Sequence, residues 1–474
     1  MNTRRLHSTR LATACALALL SATPSAVRAD TFTWDSGGVG AHDGSNPALP
    51  NSAAGTWNTV NGNWSNGTVD SVWNNANKDT AVFAGTASYA VTVQAGGVTV
   101  GGLEFTNSGS TAVTLQTGPI TLAETGTGAG VVIKQTAGGS SASAVINSAL
   151  SGDTKVSFTV VNLTLGAANT YTGSTTVTSG NLRLGLNNAL PTGTDLILNS
   201  GGSLMFTGGG TSQTVNSLTG NSTGKVWGRQ AASSLKINGS AATIYAGTIV
   251  NDSGKVQSIE VAGSGELTLT HTTGLTYNGT TTVSGTGTLK LGAGANLTKT
   301  NGVVVSGGTL TSTSGNINLG VGAVSLSAGA ITPAGIGTAG SFTLAANQIF
   351  STTGGTLNVD LGTAFDKIIG SGTGTFSIGS GTTLALTLGD GFNYLNSYNI
   401  LGGFAGGSVS ATGFSITGYD TAHYLATLGD GSNGTTLGSL SFAAISIPEP
   451  SSYASVAGLA ILGFLALRRR PSRR

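Results

Sequence analysis

Acid–base chemistry needs carboxylates or histidines held close together, and this chain is poor in both: 18 acidic residues and 4 histidines in 474. The best carboxylate pair is Asp360 and Asp366, with Lys367 beside it. Cleaving a glycosidic bond takes two carboxylates flanking it, and a β-helical lyase takes acidic metal ligands and a basic residue. Either set would stand out against so sparse a background. Of the histidines, His42, His271 and His423 each lie apart from one another and from any carboxylate cluster in sequence. Asp43-Gly44-Ser45-Asn46 and Asp430-Gly431-Ser432-Asn433 are identical, and Asp390-Gly391-Phe392-Asn393 is close. One carboxylate per loop is too few for calcium, so these read as turns. No phosphate loop or His-Glu-x-x-His motif occurs. The sequence is therefore read as non-enzymatic, with no catalytic residue, metal site or cofactor.

The other residues suited to recognition are tryptophans. Four of the five, Trp34, Trp57, Trp64 and Trp73, fall between Asp30 and Lys78 among asparagine, glycine and aspartate. The preferred reading is a capping subdomain with its own aromatic core. The functional one is a carbohydrate platform, with Trp57 and Trp64 as candidate glycan contacts, because flat rings beside amides suit sugars.

What must position these residues is a β-rich body. Charged residues make up only 8% of the chain and glycine 76 of 474, against about 25% and about 7% in an ordinary soluble domain. Short alternating runs of valine, leucine and isoleucine argue against disorder. Nine of the 20 basic residues lie in the two terminal stretches, which leaves eleven in the body against 17 acidic residues once Glu449 is set aside. The body is thus near −6, and the overall charge of +2 is no argument for nucleic acid.

Two segments of the body match. One runs Leu163-Thr-Leu165, Tyr171-Thr-Gly173, Thr175-Thr-Val177, Leu182-Arg-Leu184; the other runs Leu267-Thr-Leu269, Tyr277-Asn-Gly279, Thr281-Thr-Val283, Leu289-Lys-Leu291. Each predicts three strands of three to five residues, separated by glycine or asparagine turns. Strands this short bury a face only when stacked on copies of themselves. The segments resemble the autotransporter-associated β-strand repeat, which implies a β-helical surface or secreted passenger. Ala246-Gly-Thr-Ile249 and Gly265-Glu-Leu267 look like further, eroded rungs. A β-sandwich is the other reading, but the pattern runs on without a break in composition. At roughly 20–25 residues per coil and about 4.8 Å between stacked strands, an elongated rod is expected.

The two ends read as signals. Met1–Ala29 has Arg4, Arg5 and Arg10, an apolar core from Leu11 to Leu20, and small residues before Asp30, as in a secretory signal peptide. Cys15 is the only cysteine and lies inside it, so the mature chain forms no disulfide. At the other end stand Pro448-Glu449-Pro450, an uncharged run from Ala454 to Leu467, then Arg468-Arg469-Arg470. The arginines read as a stop-transfer block, although the run is shorter than the roughly 20 residues of a comfortable span. This tail resembles the PEP-CTERM sorting signal of Gram-negative bacteria. The resemblance implies an exosortase-type membrane enzyme that reads it, then release or attachment outside the cell. No amphipathic barrel strands of the autotransporter kind are expected; the sorting tail takes their place.

The expected fold is all-β: an elongated parallel β-helix or β-solenoid with capped ends, an N-terminal signal helix and a C-terminal transmembrane helix. Its divisions are 1–29 (signal), 30–80 (tryptophan-rich cap), 81–355 (solenoid), 356–446 (terminal coils and cap) and 447–474 (sorting signal, apolar at 454–467). The expected function is that of an exported structural β-solenoid, transiently membrane-anchored and then at the cell surface or in the extracellular matrix. Its expected partners are the secretion translocase, the exosortase and exopolysaccharide. A polysaccharide-binding module is the alternative, and a β-helical lyase or hydrolase the lesser one.

Overall fold

The computed structural model describes residues 29–36, 53–126, 128–136, 142–208, 211–313, 315–446, 459–461 and 464. Nearly all of the signal peptide, His42, the turn at 43–46, Pro448, Glu449, Pro450, Arg468, Arg469 and Arg470 lie outside these residues. Leu459–Ile461 and Phe464 have helical geometry and are exposed. No helix among the described residues is long and apolar enough to cross a membrane.

The body is a parallel β-solenoid whose coils feed three strand ladders. The first runs through Thr80–Phe83, Gly102–Phe105 and Val131–Gln135 into the first halves of Val156–Leu165 and Thr175–Leu184. It continues through Asp195–Leu198, Ser217–Gly220, Thr243–Tyr245, Glu266–Leu269 and Thr288–Leu291. The second ladder holds Gly55–Trp57, Tyr89–Val93, Ala112–Thr117 and Ser143–Ile146, then the second halves of the two long strands, then Ser203–Phe206, Lys225–Gly228 and Thr248–Asn251. The third starts at Val98–Val100, Ile120–Leu122 and Leu150–Ser151. Turns carry it onward, with Thr170 N donating to Leu150 O and Asn188 N to Ser212 O. It then resumes at Ser212–Val215, Ser233–Ile237, Gln257–Val261 and Thr281–Val283.

The alternation read from the sequence sets which side faces in. In Tyr89–Val93 the first, third and fifth residues are buried and the others are not. Because parallel partners share a side, inward residues stack coil on coil. Leu163, Leu182, Leu204, Val226 and Ile249 are register partners in series, each fully buried. At about 1.5–3 kcal/mol per buried aliphatic side chain, such columns are the main stabilising term.

Two expectations about the coils are corrected. Coils are not all of the expected length, roughly 20–25 residues: 19 residues separate Leu163 from Leu182, and 32 separate Thr383 from Ser415. Nor are the repeat strands all short. Val156–Leu165 and Thr175–Leu184 each run 10 residues and take part in two ladders. In Thr175–Leu184 the corner is turned at Gly180, which adopts φ +68° and where a Cβ would sit 1.8 Å from Val160 O.

The two matching segments do not sit alike in the stack. Leu163 and Leu165 lie on the second ladder and Val177 on the first. Leu267 and Leu269 lie on the first and Val283 on the third. The second copy is thus displaced by one ladder around the axis.

The N-terminal edge is covered. Thr31–Trp34 lies parallel on Thr80–Phe83 and antiparallel to Trp64–Ser65, which pairs in turn with Asp70–Ser71. Trp34, Trp57 and Trp64 are 0% exposed and Trp73 is 2% exposed. Ring centroids are 4.9 Å apart for Trp57 and Trp64 and 4.7 Å for Trp64 and Trp73. Trp34 Nε1 donates to Ala53 O and Trp73 Nε1 to Thr99 O, while Trp57 Nε1 and Trp64 Nε1 are buried without a partner. An orphaned N–H costs about 1–3 kcal/mol. Each ring removes about 150–250 Å² from water, roughly 4–6 kcal/mol at about 25 cal/mol/Å², so burial wins. This corrects the sugar-platform reading: Trp57 and Trp64 have no free face to offer a glycan, because both rings form the cap's core.

At the other end no break falls between 355 and 356, since Ile349–Leu361 crosses that point and pairs with Thr375–Leu388 on both sides of it. The stack continues to Gly406–Val409 and Ser415–Thr417. Beside it, Tyr398–Asn399, Ser439–Ala444 and Tyr424–Leu428 form an antiparallel sheet, with Phe392, Tyr394, Tyr424 and Phe442 packed together.

Candidate functional site

Asp360 and Asp366 do meet, but they serve the backbone. Asp366 accepts from Gly340 N at 2.7 Å and Asp360 N at 3.1 Å, and Asp360 Oδ2 accepts from Thr338 N at 2.8 Å. Burial, aided by the Asp360 charge, pushes the Asp366 carboxyl up to about 7 against the two backbone hydrogen bonds. Lys367 turns away and lies 4.4 Å from the Phe365 ring centroid. His271 Nδ1 accepts from Thr273 N and Gly274 N in its own turn. His423 pairs with Asp420 at 2.7 Å on the surface. Asp430 closes a turn onto Ser432. Among the described residues no three His, Cys, Asp or Glu side chains come together to hold a metal.

The densest outward-facing chemistry is elsewhere, on the second ladder. In Lys225-Val226-Trp227-Gly228-Arg229 the alternation buries Val226 and Gly228 and leaves Lys225, Trp227 and Arg229 outside. Lys225 Nζ lies 4.5 Å from the Trp227 ring centroid and Arg229 Cζ 5.2 Å from it. Trp227 Nε1 donates to Asp252 Oδ1 at 2.7 Å, and Arg229 Nε to Asp252 Oδ2 at 2.7 Å. The indole is therefore held with its N–H on Asp252 and both cations close to its ring. Each cation–π contact contributes about 0.5–1 kcal/mol at such exposure.

The register extends the site. Arg183 pairs with Met205, and Met205 with Trp227, so Arg183 stands two rungs from the indole, about 10 Å along the stack. Arg183 donates to Asn162 Oδ1 at 2.6 Å, and its Nε is buried without a partner. Desolvation and then the Arg229 charge hold the Arg183 pKa below the ordinary value. Slight desolvation works against Asp252 ionising, but hydrogen bonds from Arg229 and Trp227 and the charges of Arg229 and Lys255 outweigh it and lower its pKa. Two arginines that repel one another, with one carboxylate between several cations, make this strip electropositive on a body that is negative as a whole.

Trp227 stands alone in sequence, apart from the four clustered tryptophans, and composition does not set it apart. The signal was present: three residues able to make contacts at positions i, i+2 and i+4 of one strand share a face.

Comparison with known proteins is narrow. No family model matches the chain, and no solved structure matches it. It is similar to the adhesin BmaC autotransporter of Brucella suis biovar 1 (strain 1330), with 35% identity over 187 residues, which is 36% of this chain and 5% of that protein. The chain thus spans about a twentieth of the length of the curated relative it matches.

Proposed function

We propose that the chain is an exported, non-enzymatic β-solenoid of the cell surface or extracellular matrix. On this reading, residues 1–29 direct it to the secretion translocase. The run 454–467 with Arg468, Arg469 and Arg470 holds it briefly at the membrane. An exosortase-type enzyme then acts at Pro448, Glu449 and Pro450. The single observation that carries the reading is the continuous, charge-poor parallel stack with a covered N-terminal edge. Likeness to a stretch of an autotransporter adhesin supports it. A solenoid of this kind makes a stiff elongated shaft, and its hydroxyl- and amide-rich exterior suits a crowded aqueous matrix.

The test is mass spectrometry of the protein recovered outside cells of a host that has an exosortase, together with protease added to intact cells. The expected result is a chain beginning near Asp30, lacking the residues beyond the Pro-Glu-Pro segment, and cleaved by the external protease. A cytosolic protein with both ends intact would overturn the reading.

A second reading, an extracellular polysaccharide-binding module, is favoured by the Lys225–Trp227–Arg229 arrangement, not by the buried Trp57 and Trp64.

A further inference from the structure

We infer that the outward strip formed by Arg183, Lys225, Trp227 and Arg229 is a binding site for an acidic polysaccharide, one bearing carboxylates at intervals along a hydroxyl-rich chain. Four features of the strip select that ligand. It is cationic where the body is anionic, so the ligand is an anion. The cations are spread over two rungs of the stack, about 10 Å, which fits a polymer whose charges are spaced along it better than a single small ion. Beside them lies an uncharged row: Asn162, Asn181 and Ser203 precede Lys225 in register; Asn162 and Ser203 are buried, and the half-buried Asn181 offers an amide that matches sugar hydroxyls. Finally, the positive charge is modest. A nucleic acid duplex carries a charge every 1.7 Å or so, and a body near −6 with a few cations in one strip repels that density, while a uronate polymer has one charge per sugar.

Trp227 acts here as a post. Lys225 and Arg229 both lie against its ring and its N–H is held by Asp252, so it fixes where the cations stand. Preorganised cations lose little freedom on binding, which is where affinity is otherwise lost. The inference uses export only for where the polymer is met. Binding is measured on purified protein, so it can fail or succeed independently of the sorting reading.

The experiment titrates the purified chain with polygalacturonate, dextran, duplex DNA and anionic phospholipid vesicles, following tryptophan fluorescence and calorimetric heat. The four cap tryptophans are buried, so a ligand-dependent fluorescence change reports Trp227. Polygalacturonate should bind and shift the emission, weakening at least tenfold between 50 and 500 mM salt, a range over which the Debye length falls from about 14 Å to about 4 Å. Dextran should not bind. Lys225→Gln with Arg229→Gln should weaken binding at least tenfold, and Trp227→Phe should abolish the fluorescence signal. Should the double variant unfold, Arg183→Gln and Lys225→Gln singly, each with an unchanged melting curve, should each weaken binding severalfold. The proposal is overturned by no binding of polygalacturonate, by unchanged affinity in folded variants, or by tighter binding of DNA or vesicles.

Discussion

The hydroxyls of Thr175 and Thr194 meet 2.8 Å apart, one coil against the next. Thr194 donates to Gly173 O at 2.9 Å, so its own oxygen is left to accept from Thr175, and Thr175 in turn accepts from Tyr171 at 2.7 Å. The second copy builds the same relay: Tyr277 to Thr281 at 2.6 Å, Thr281 to Thr300 at 3.1 Å, Thr300 to Gly279 O at 2.6 Å. Tyrosine, glycine and threonine recur at this spacing because the turn between strands is closed by a buried chain of hydroxyls ending on a backbone carbonyl. Burial pushes the Tyr171 phenol up, and that of Tyr277 up to about 12, despite the threonine hydrogen bonds.

Removing the middle of that relay should hurt more than removing its end. Thr175→Val removes two hydrogen bonds and leaves the buried Tyr171 hydroxyl without an acceptor, a loss of about 1–3 kcal/mol for that group, while Thr194 keeps Gly173 O. Tyr171→Phe removes the donor at the end and leaves the rest intact, for about 1 kcal/mol. Urea unfolding midpoints of the two variants check the order; equal or reversed losses would refute the relay. Thr281→Val should behave as Thr175→Val does.

Gly180→Ala should be among the most damaging small substitutions. Its φ of +68° and the 1.8 Å approach of a Cβ to Val160 O leave no relaxed position. Backbone strain of this kind costs on the order of 1–3 kcal/mol before the clash is counted. Gly193→Ala, with nothing within 4 Å, is the control and should leave the melting temperature nearly unchanged.

The Asp366 carboxyl gives the stack a pH dependence. Its pKa lies near 7 in the folded chain and about 3.9 unfolded. Between those values the folded state holds a proton that the unfolded state has lost, so stability falls as pH rises from about 4 to about 7 and levels off above. Asp366→Asn should flatten that part of the profile. Melting temperatures across the pH range measure it; a wild-type slope of opposite sign in this window that persists in Asp366→Asn would contradict the assignment.

Trp57→Ala should uncover the N-terminal edge. Loss of a buried tryptophan costs about 3–5 kcal/mol, and an uncovered strand edge invites pairing with other chains. Light scattering should show concentration-dependent assembly in the variant and none in the parent, with glycan binding unaffected in whatever remains monomeric.

Much of this architecture was legible from residue order. Leu163/Leu165, Val177 and Leu182/Leu184 announced their inward side by alternation, and the rungs sketched at Ala246–Ile249 and Gly265–Leu267 are strands in the stack, Thr248–Asn251 and Glu266–Leu269. Less legible was where coils turn. A glycine in an alternating run reads as a strand end, yet at Gly180 the ladder carries on around the corner. The tryptophans were ambiguous because composition cannot tell a ring packed on rings from one facing water. Trp227 shows the converse. Strand alternation placed it outward, but only register brought Arg183 and Asp252 to it from coils 44 and 25 residues away.

The displacement of the second repeat by one ladder has a bearing on avidity. Arg183 and Lys290 hold the same place in their two copies, each between paired leucines, but Arg183 points out from the second ladder and Lys290 from the first. On the polysaccharide-binding reading, a straight fibre laid along the shaft would meet Arg183 and pass by Lys290, which stands 3.6 Å from Glu266. To hold both it has to wind partway round, so copying the motif multiplies directions of grasp instead of strengthening any single handhold.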